Sequence, residues 1–247
     1  MQHAFIRTEW LIGKQALEKL SRSTVAVFGI GGVGSFAVEA LARSGVGKLV
    51  LIDHDDVCIT NLNRQIHADL STVGKPKVEV MRQRVLGINP NADVVCHAEF
   101  YRADTADRFN FSHYDYVIDA IDTISSKIDL VLRCKAEGVP IISSMGAGNK
   151  MDPAAFKVGD IYETSIDPIA KVMRRELRKR GVRSLKVVYS TETPTKPGYP
   201  DGGSDSADEE GAKRRRNPPG SISFVPPVAG LIMAAEVIKD IIDWPRN

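Results

Sequence analysis

Gly29, Gly31 and Gly34 stand in the spacing G-x-G-x-x-G, and Asp53 follows nineteen residues after Gly34. Glycines spaced in this way let backbone N–H groups approach a phosphate, and a helix opening behind them adds the positive end of its dipole. A carboxylate at the end of the next strand can take both hydroxyls of a ribose. A nicotinamide dinucleotide needs little more than this. Here Asn61, Arg64, Lys75 and Lys77 follow in order. Two or three cations converging on a phosphate chain suit a triphosphate whose charge shifts during reaction. Asp122 then suits Mg²⁺, as a hard carboxylate whose octahedron water and phosphate oxygens complete. Any one of these cations alone reads as a solvated surface charge; their succession after strand ends is the signal.

The elements needed to position these residues are legible as alternating patterns. Thr24 to Ile30 is a β-branched run suited to a strand buried on both faces. Gly32 to Ser44 turns helical, with Phe36, Ala37, Ala40 and Leu41 on one side, and Lys48 to Asp53 is a second strand. Lys75 to Leu86 is a helix, Asp93 to His97 a strand, Tyr114 to Ala120 a strand ending shortly before Asp122, Ser125 to Glu137 a helix and Pro140 to Ser144 a strand. Ahead of them, Leu11 to Leu20 reads as one amphipathic helix. The alternation predicts an α/β, Rossmann-like doubly wound, mostly parallel sheet with helices on both faces and a C-terminal extension. That extension begins with a basic helix, Asp167 to Gly181, opened by Asp167-Pro168 as cap and first turn. A strand from Leu185 to Ser190 and a closing helix from Pro227 to Ile242 follow. Glu192 to Gly220 is rich in Pro, Gly, Ser and charge, with five acids from Asp201 to Glu210 before Lys213-Arg214-Arg215-Arg216. This composition predicts a mobile or disordered loop within a single domain spanning residues 1–247.

Composition narrows the classes. The 247 residues, 43% of them hydrophobic, can bury a substantial core, and a net charge of +2 confines any nucleic-acid contact to a local patch. Cys58, Cys96 and Cys134 are too far apart for a local CxxC zinc pair, and read as reduced, inert thiols, although Cys58 falls in the loop beside the nucleotide residues. No apolar signal core opens the chain, and the apolar run Val228 to Ala235 is far short of the ~20 residues of a spanning helix. A cytoplasmic protein without stable membrane insertion is expected.

The stretches Phe28–Ser35, Leu51–Val57, Asn61–Gln65, Gly74–Glu79 and Ile88–Pro90 resemble the E1-like activating superfamily, which includes the adenylating enzymes of molybdopterin and thiamine biosynthesis and the ubiquitin activators. The resemblance implies ATP with Mg²⁺ on a Rossmann-like sheet and adenylation of a carboxylate. It implies Gly32 under the phosphates, Asp53 on the ribose, Asn61 and Arg64 on the phosphate chain, Lys77 at the attacked α-phosphate and Asp122 on the metal. It also implies a homodimer in which Arg7 reaches the partner's ATP. Tyr116–Asp122, Ser143–Asn149, Asp167–Lys171 and Phe224–Met233 are similar to one branch, the tRNA threonylcarbamoyladenosine dehydratases. That branch implies a tRNA modified at A37 as substrate: ATP adenylates the threonyl carboxylate, and a nitrogen of the same modification closes a ring with loss of water. A nucleophile already in the substrate accounts for the absence of a relay cysteine. Partnership with a cysteine-desulfurase or sulfur-acceptor system is a further expectation. Thr123 departs from the sulfur-carrier activators, which often carry Asn there.

The basic helix fits a nucleic-acid partner independently. Between Lys171 and Lys186 lie eight Lys or Arg, including Arg174, Arg175, Arg178 and Lys179, against one acid, Glu176. Such a concentration can grip RNA phosphates, with Tyr162, Tyr189 and Phe224 as candidates for stacking a base. Two other readings stay open: an activator of a small sulfur-carrier protein, against which the missing zinc cysteines count, and an NAD-binding oxidoreductase or sensor, which would be indifferent to Arg64 and Lys77.

Overall fold

The computed structural model describes residues 3–198 and 219–245. The Lys213–Arg216 cluster and most of the stretch from Glu192 to Gly220 lie outside the described residues.

Seven strands form one sheet in the order β3-β2-β1-β4-β5-β7-β6. β1 (Thr24–Phe28), β2 (Lys48–Ile52), β3 (Asp93–His97), β4 (Tyr116–Asp119), β5 (Ile141–Ser144) and β7 (Lys186–Ser190) run parallel, and β6 (Phe156–Asp160) is antiparallel to β7. β4 and β5 are buried along their whole length, as β-branched strands covered on both faces must be. One face packs on α3 (Gly34–Arg43), α4 (Lys77–Ile88) and α7 (Val225–Ile241), through Leu41, Met81 and Met233. The other packs on α5 (Ile124–Ala136) and α6 (Pro168–Lys179), through Leu130 and Met173, together with Phe28, Tyr101, Phe109 and Phe111. Each fully buried aliphatic of this kind contributes about 1.5–3 kcal/mol.

Two expectations need correction. The single helix read from Leu11 to Leu20 is two, α1 (Ile6–Ile12) and α2 (Lys14–Arg22), broken at Gly13. Gly13 has φ 85° and ψ 159°, a conformation open essentially to glycine alone, and Leu11 is 74% exposed instead of facing a core. β6 was not anticipated at all. It is a half-exposed edge strand carrying Lys157 and Gly159, so it lacks the apolar run that marks the buried strands.

The described ends of the Glu192–Gly220 stretch are both tied to one residue. Thr195 N–H donates to the Asn149 carbonyl at 2.7 Å, and Gly220 N–H to Asn149 Oδ1 at 2.6 Å. No helix among the described residues is long and apolar enough to cross a membrane.

Candidate active site

The strand order reverses between β1 and β4, and ligands of open α/β sheets bind at the carboxyl edge of such a switch point. A cleft of about 270 Å³ opens there. It gathers Gly29, Gly31 and Gly32 from the turn after β1, Asp53 from the first position after β2, Asn61 and Arg64 from the following loop, Lys77 from the start of α4 and Asp122 from the loop after β4. Lys75, Gly34 and Arg7 are not in its wall: Gly34 lies under the turn, and Arg7 sits on α1.

The turn is shaped by two contacts that admit no side chain. Gly29 has φ 89°, and a Cβ there would meet the Ala120 carbonyl oxygen at 2.6 Å; a Cβ on Gly34 would meet the Gly29 oxygen at 1.8 Å. Gly29→Ala is therefore expected to cost roughly 1–3 kcal/mol of stability and to weaken nucleotide binding, checked by denaturant unfolding and calorimetry. Asp53 fixes the same turn from the side: its Oδ2 accepts from Ile30 N–H at 2.6 Å and its Oδ1 from Asp55 N–H at 2.9 Å. Each carboxylate oxygen keeps a second acceptor site for a hydroxyl.

The cations are held but not consumed. Lys77 is only 6% exposed at its side chain, and its Nζ lies 2.6 Å from Asp55 Oδ2. Arg64 Nη1 donates to the Thr60 carbonyl and to Asn63 Oδ1, both at 2.9 Å. Asn61 does structural work as well: its Oδ1 accepts from Cys58 N–H at 3.0 Å and closes the short helical turn Ile59–Asn61. His67, buried below this loop with neither ring nitrogen partnered, is pushed down to about 4 by burial first and by Lys77 and Arg84 second. It therefore stays neutral beside the lysine.

Asp122 is exposed, and its only polar side-chain contact among the described residues is the Thr123 hydroxyl, which donates to its Oδ1 at 3.3 Å. A carboxylate with no ammonium or guanidinium on it fits a hydrated divalent cation. Asp53, His54 and Asp55 also cluster closely enough for a metal, but two backbone amides and Lys77 already occupy the two carboxylates.

Several residues of this site escape a sequence reading. Gln65 lines the cleft, is 5% exposed and has an Oε1 with no partner; its place beside Arg64 was the available signal. Asp55 is the counter-ion of Lys77. Glu99, Phe100 and Tyr101, just beyond β3, form a wall of mixed polarity. Below the cleft, the buried Lys127 pairs with Asp119 at 2.9 Å and donates to the Ile121 carbonyl at 3.0 Å, fixing the peptide that presents Asp122. Cys58 departs from the inert buried thiol expected of it. It is exposed, and hydrogen bonds from Thr60 lower its pKa, whereas burial pushes Cys96 and Cys134 up to about 12.

The predicted basic helix is α6, capped by Asp167 as expected. Its cations are unequal. Arg175, Lys179 and Arg180 all converge on Glu176 at 3.0, 3.4 and 2.8 Å, and hold its carboxyl at about 2, with Arg180 foremost. Arg174 is bound to the Thr164 carbonyl at 2.8 Å, and Arg178 lies over the Tyr162 ring at 5.0 Å. Lys171 is exposed and has no such partner among the described residues. Of the stacking candidates, Tyr189 is buried and Tyr162 is occupied by Arg178, while Phe224 is 40% exposed.

Fold and cleft together define a nucleotide-binding α/β protein whose pocket is lined with cations, and residues 7–247 match the ThiF family, to which the chain belongs. It is 51% identical over 243 residues to the tRNA threonylcarbamoyladenosine dehydratase of Bacillus subtilis, covering 98% of this chain and 96% of that one. The crystal structure of the Escherichia coli tRNA N6-threonylcarbamoyladenosine dehydratase in complex with ATP superposes with a TM-score of 0.85 at 35% identity, over 97% of this chain and 94% of that one. Similarity to the E. coli molybdopterin-synthase adenylyltransferase, 38% identical, spans 55% of this chain and 53% of that one.

Proposed function

We propose that this chain is an ATP-dependent dehydratase that closes a ring on N6-threonylcarbamoyladenosine at position 37 of tRNA, in the cytoplasm. The observation that carries this reading is the full-length likeness to tRNA threonylcarbamoyladenosine dehydratases. The partial match to a carrier activator and the absence of a CxxC pair speak against the sulfur-carrier reading. A cleft lined by Arg64 and Lys77 speaks against a nicotinamide site.

The reaction balances as two displacements. The threonyl carboxylate attacks the α-phosphate of ATP, and pyrophosphate leaves. A nitrogen of the same modification then attacks the acyl carbon and loses its proton, AMP leaves, and the nucleoside is lighter by one water. No sulfur enters this balance, so a sulfur-relay partner has no atom to supply. Asp53 orients the ribose, and the amides behind Gly29–Gly34 with Asn61 and Arg64 hold the phosphates. Lys77 moves its charge from Asp55 toward the α-phosphate as negative charge develops there. Asp122 would hold Mg²⁺, whose charge would offset that of the leaving pyrophosphate. Holding both reacting groups on one substrate replaces a covalent relay by effective molarity. The test is incubation with ATP, Mg²⁺ and bulk tRNA from cells lacking the activity, then digestion and mass spectrometry. A nucleoside lighter by one water is the expected product, and its absence together with NAD binding overturns the reading.

Arg7 completes the site of a second copy in this proposal, since it lies outside its own cleft. Mixed dimers of Arg7→Ala and Lys77→Ala subunits should regain part of the activity that each homodimer lacks; no rescue in verified heterodimers contradicts a shared site. α6 supplies phosphate contacts. Because Glu176 sequesters three cations, Glu176→Gln should tighten tRNA binding severalfold at low salt. It should also steepen the log Kd against log salt plot by roughly one to two, at about 0.9 per added phosphate contact.

A further inference from the structure

Ile166 is held in a backbone conformation that a β-branched residue strongly disfavours. Its φ is 63°, in the left-handed region where Cβ crowds the following carbonyl. Asp167 N–H donates to the Ser165 carbonyl at 2.6 Å and closes a three-residue turn about Ile166. Such turns with a positive φ at their centre are rare and strained.

Both flanks are clamped hard enough to impose that strain. Thr164 Oγ1 donates to the Ile161 carbonyl at 2.6 Å, and the Thr164 carbonyl accepts from Arg174 at 2.8 Å. The fully buried Asp167 carboxylate accepts from Ala170 N–H at 2.9 Å and takes Lys150 Nζ at 2.9 Å. Yet the Ile166 side chain fills no core: it is 54% exposed. Glycine would relieve the turn and asparagine would tolerate it. A bulky apolar residue that neither the turn nor the core asks for points to a use for the side chain itself.

Its position narrows that use. Lys150 Nζ also donates to the Gly146 carbonyl, tying the turn to the loop after β5. β5 neighbours β4, whose carboxyl end presents Asp122 to the cleft. On the other side α6 begins, with exposed Lys171 in its first turn. Ile166 thus stands next to the start of the cationic helix, in a turn tied to the loop that follows the carboxyl end of β5.

We propose that Ile166 is an apolar wedge that rests against an unpaired base of the tRNA loop beside the adenosine being modified. This rests on the tRNA reading above. Proteins read single-stranded RNA loops by splaying bases against side chains, and isoleucine is among the residues that part stacked bases in nucleic acids. A side chain carried on a backbone clamped at both flanks requires little further ordering of the chain on contact.

The test uses the full chain as wild type, Ile166→Gly and Ile166→Asn, compared in thermal midpoint, ATP affinity, and KM and kcat for tRNA. Ile166→Gly should melt about 2–4 °C higher, because the strain is gone. Both variants should bind ATP as wild type does, and show a KM for tRNA about tenfold higher at a nearly unchanged kcat. An unchanged KM in both variants overturns the wedge, as does a lower melting point for Ile166→Gly, which would make the side chain structural. Failure of the wild-type protein to modify tRNA is a different result, and removes the functional reading along with the wedge.

Discussion

Lys77→Ala is expected to lower kcat/KM for ring closure by ~10²–10³, the usual cost of removing one donor aimed at developing charge. The expectation rests on where the ammonium sits. Lys77 is 6% exposed at the head of α4, in the wall of the cleft, and its only ion-pair partner among the described residues is Asp55, itself half exposed. A buried ammonium is poorly solvated, so its attraction to a phosphate is screened less than that of a surface lysine. Removing it leaves Asp55 free to turn to water, and the fold should survive with a melting point within a few degrees of wild type. Lys77→Arg should not restore the rate, because a planar fork cannot occupy the space of a compact charge. Pyrophosphate release measured under saturating tRNA checks the effect on the first step directly. A loss under threefold would mean that Lys77 serves only to hold Asp55.

Asp122→Ala is expected to reduce turnover by a similar ~10²–10³ while ATP still binds in the absence of Mg²⁺. Asp122 is exposed and, among the described residues, pairs with no cation and hydrogen-bonds only to the Thr123 hydroxyl, so the substitution leaves no buried orphan there. The fold should be unaffected. Calorimetric titration of ATP with and without Mg²⁺ provides the second measurement: wild type should bind the nucleotide more tightly with the metal, and the variant should lose that difference. Equal gains from Mg²⁺ in both proteins would move the metal away from Asp122. The group Asp53, His54 and Asp55 would then be the alternative, at the cost of displacing Lys77 from its carboxylate.

The two variants also separate the roles assigned to neighbouring groups. Lys77 reaches the cleft from the start of α4 and Asp122 from the loop after β4, on opposite sides of the glycine turn in sheet order. Their losses should add only in part, since both act on the same developing charge.

Much of this cleft was legible because the residues that line it just beyond the strand ends are placed by strands of unmistakable pattern. β1, β2, β4 and β5 are buried on both faces, so their apolar runs stand out and the residues just beyond them, Gly29, Asp53 and Asp122, are located by counting. Asn61, Arg64 and Lys77 come from a loop and a helix start, and their succession in the chain predicted the convergence that the cleft displays. The same logic failed where burial is one-sided or absent. β6 is an edge strand without an apolar run, and α1 breaks from α2 at a glycine whose backbone no side-chain pattern announces.

What the chain determines by itself is the order of chemistry-bearing residues and the elements that must carry them, because hydrophobic period and turn chemistry are local properties. Pairings between distant segments are not local, and only the fold decided them. Lys127 found Asp119 beneath the cleft, Lys77 found Asp55 beside it, and Lys150 bound the loop after β5 to the cap of α6. A buried ammonium must meet a carboxylate, but which one depends on how the layers close over the sheet. Likewise α6 declares its charge in sequence, whereas only packing and helix geometry showed that Glu176 holds three of its cations and that Ile166 is forced into a turn it would not choose.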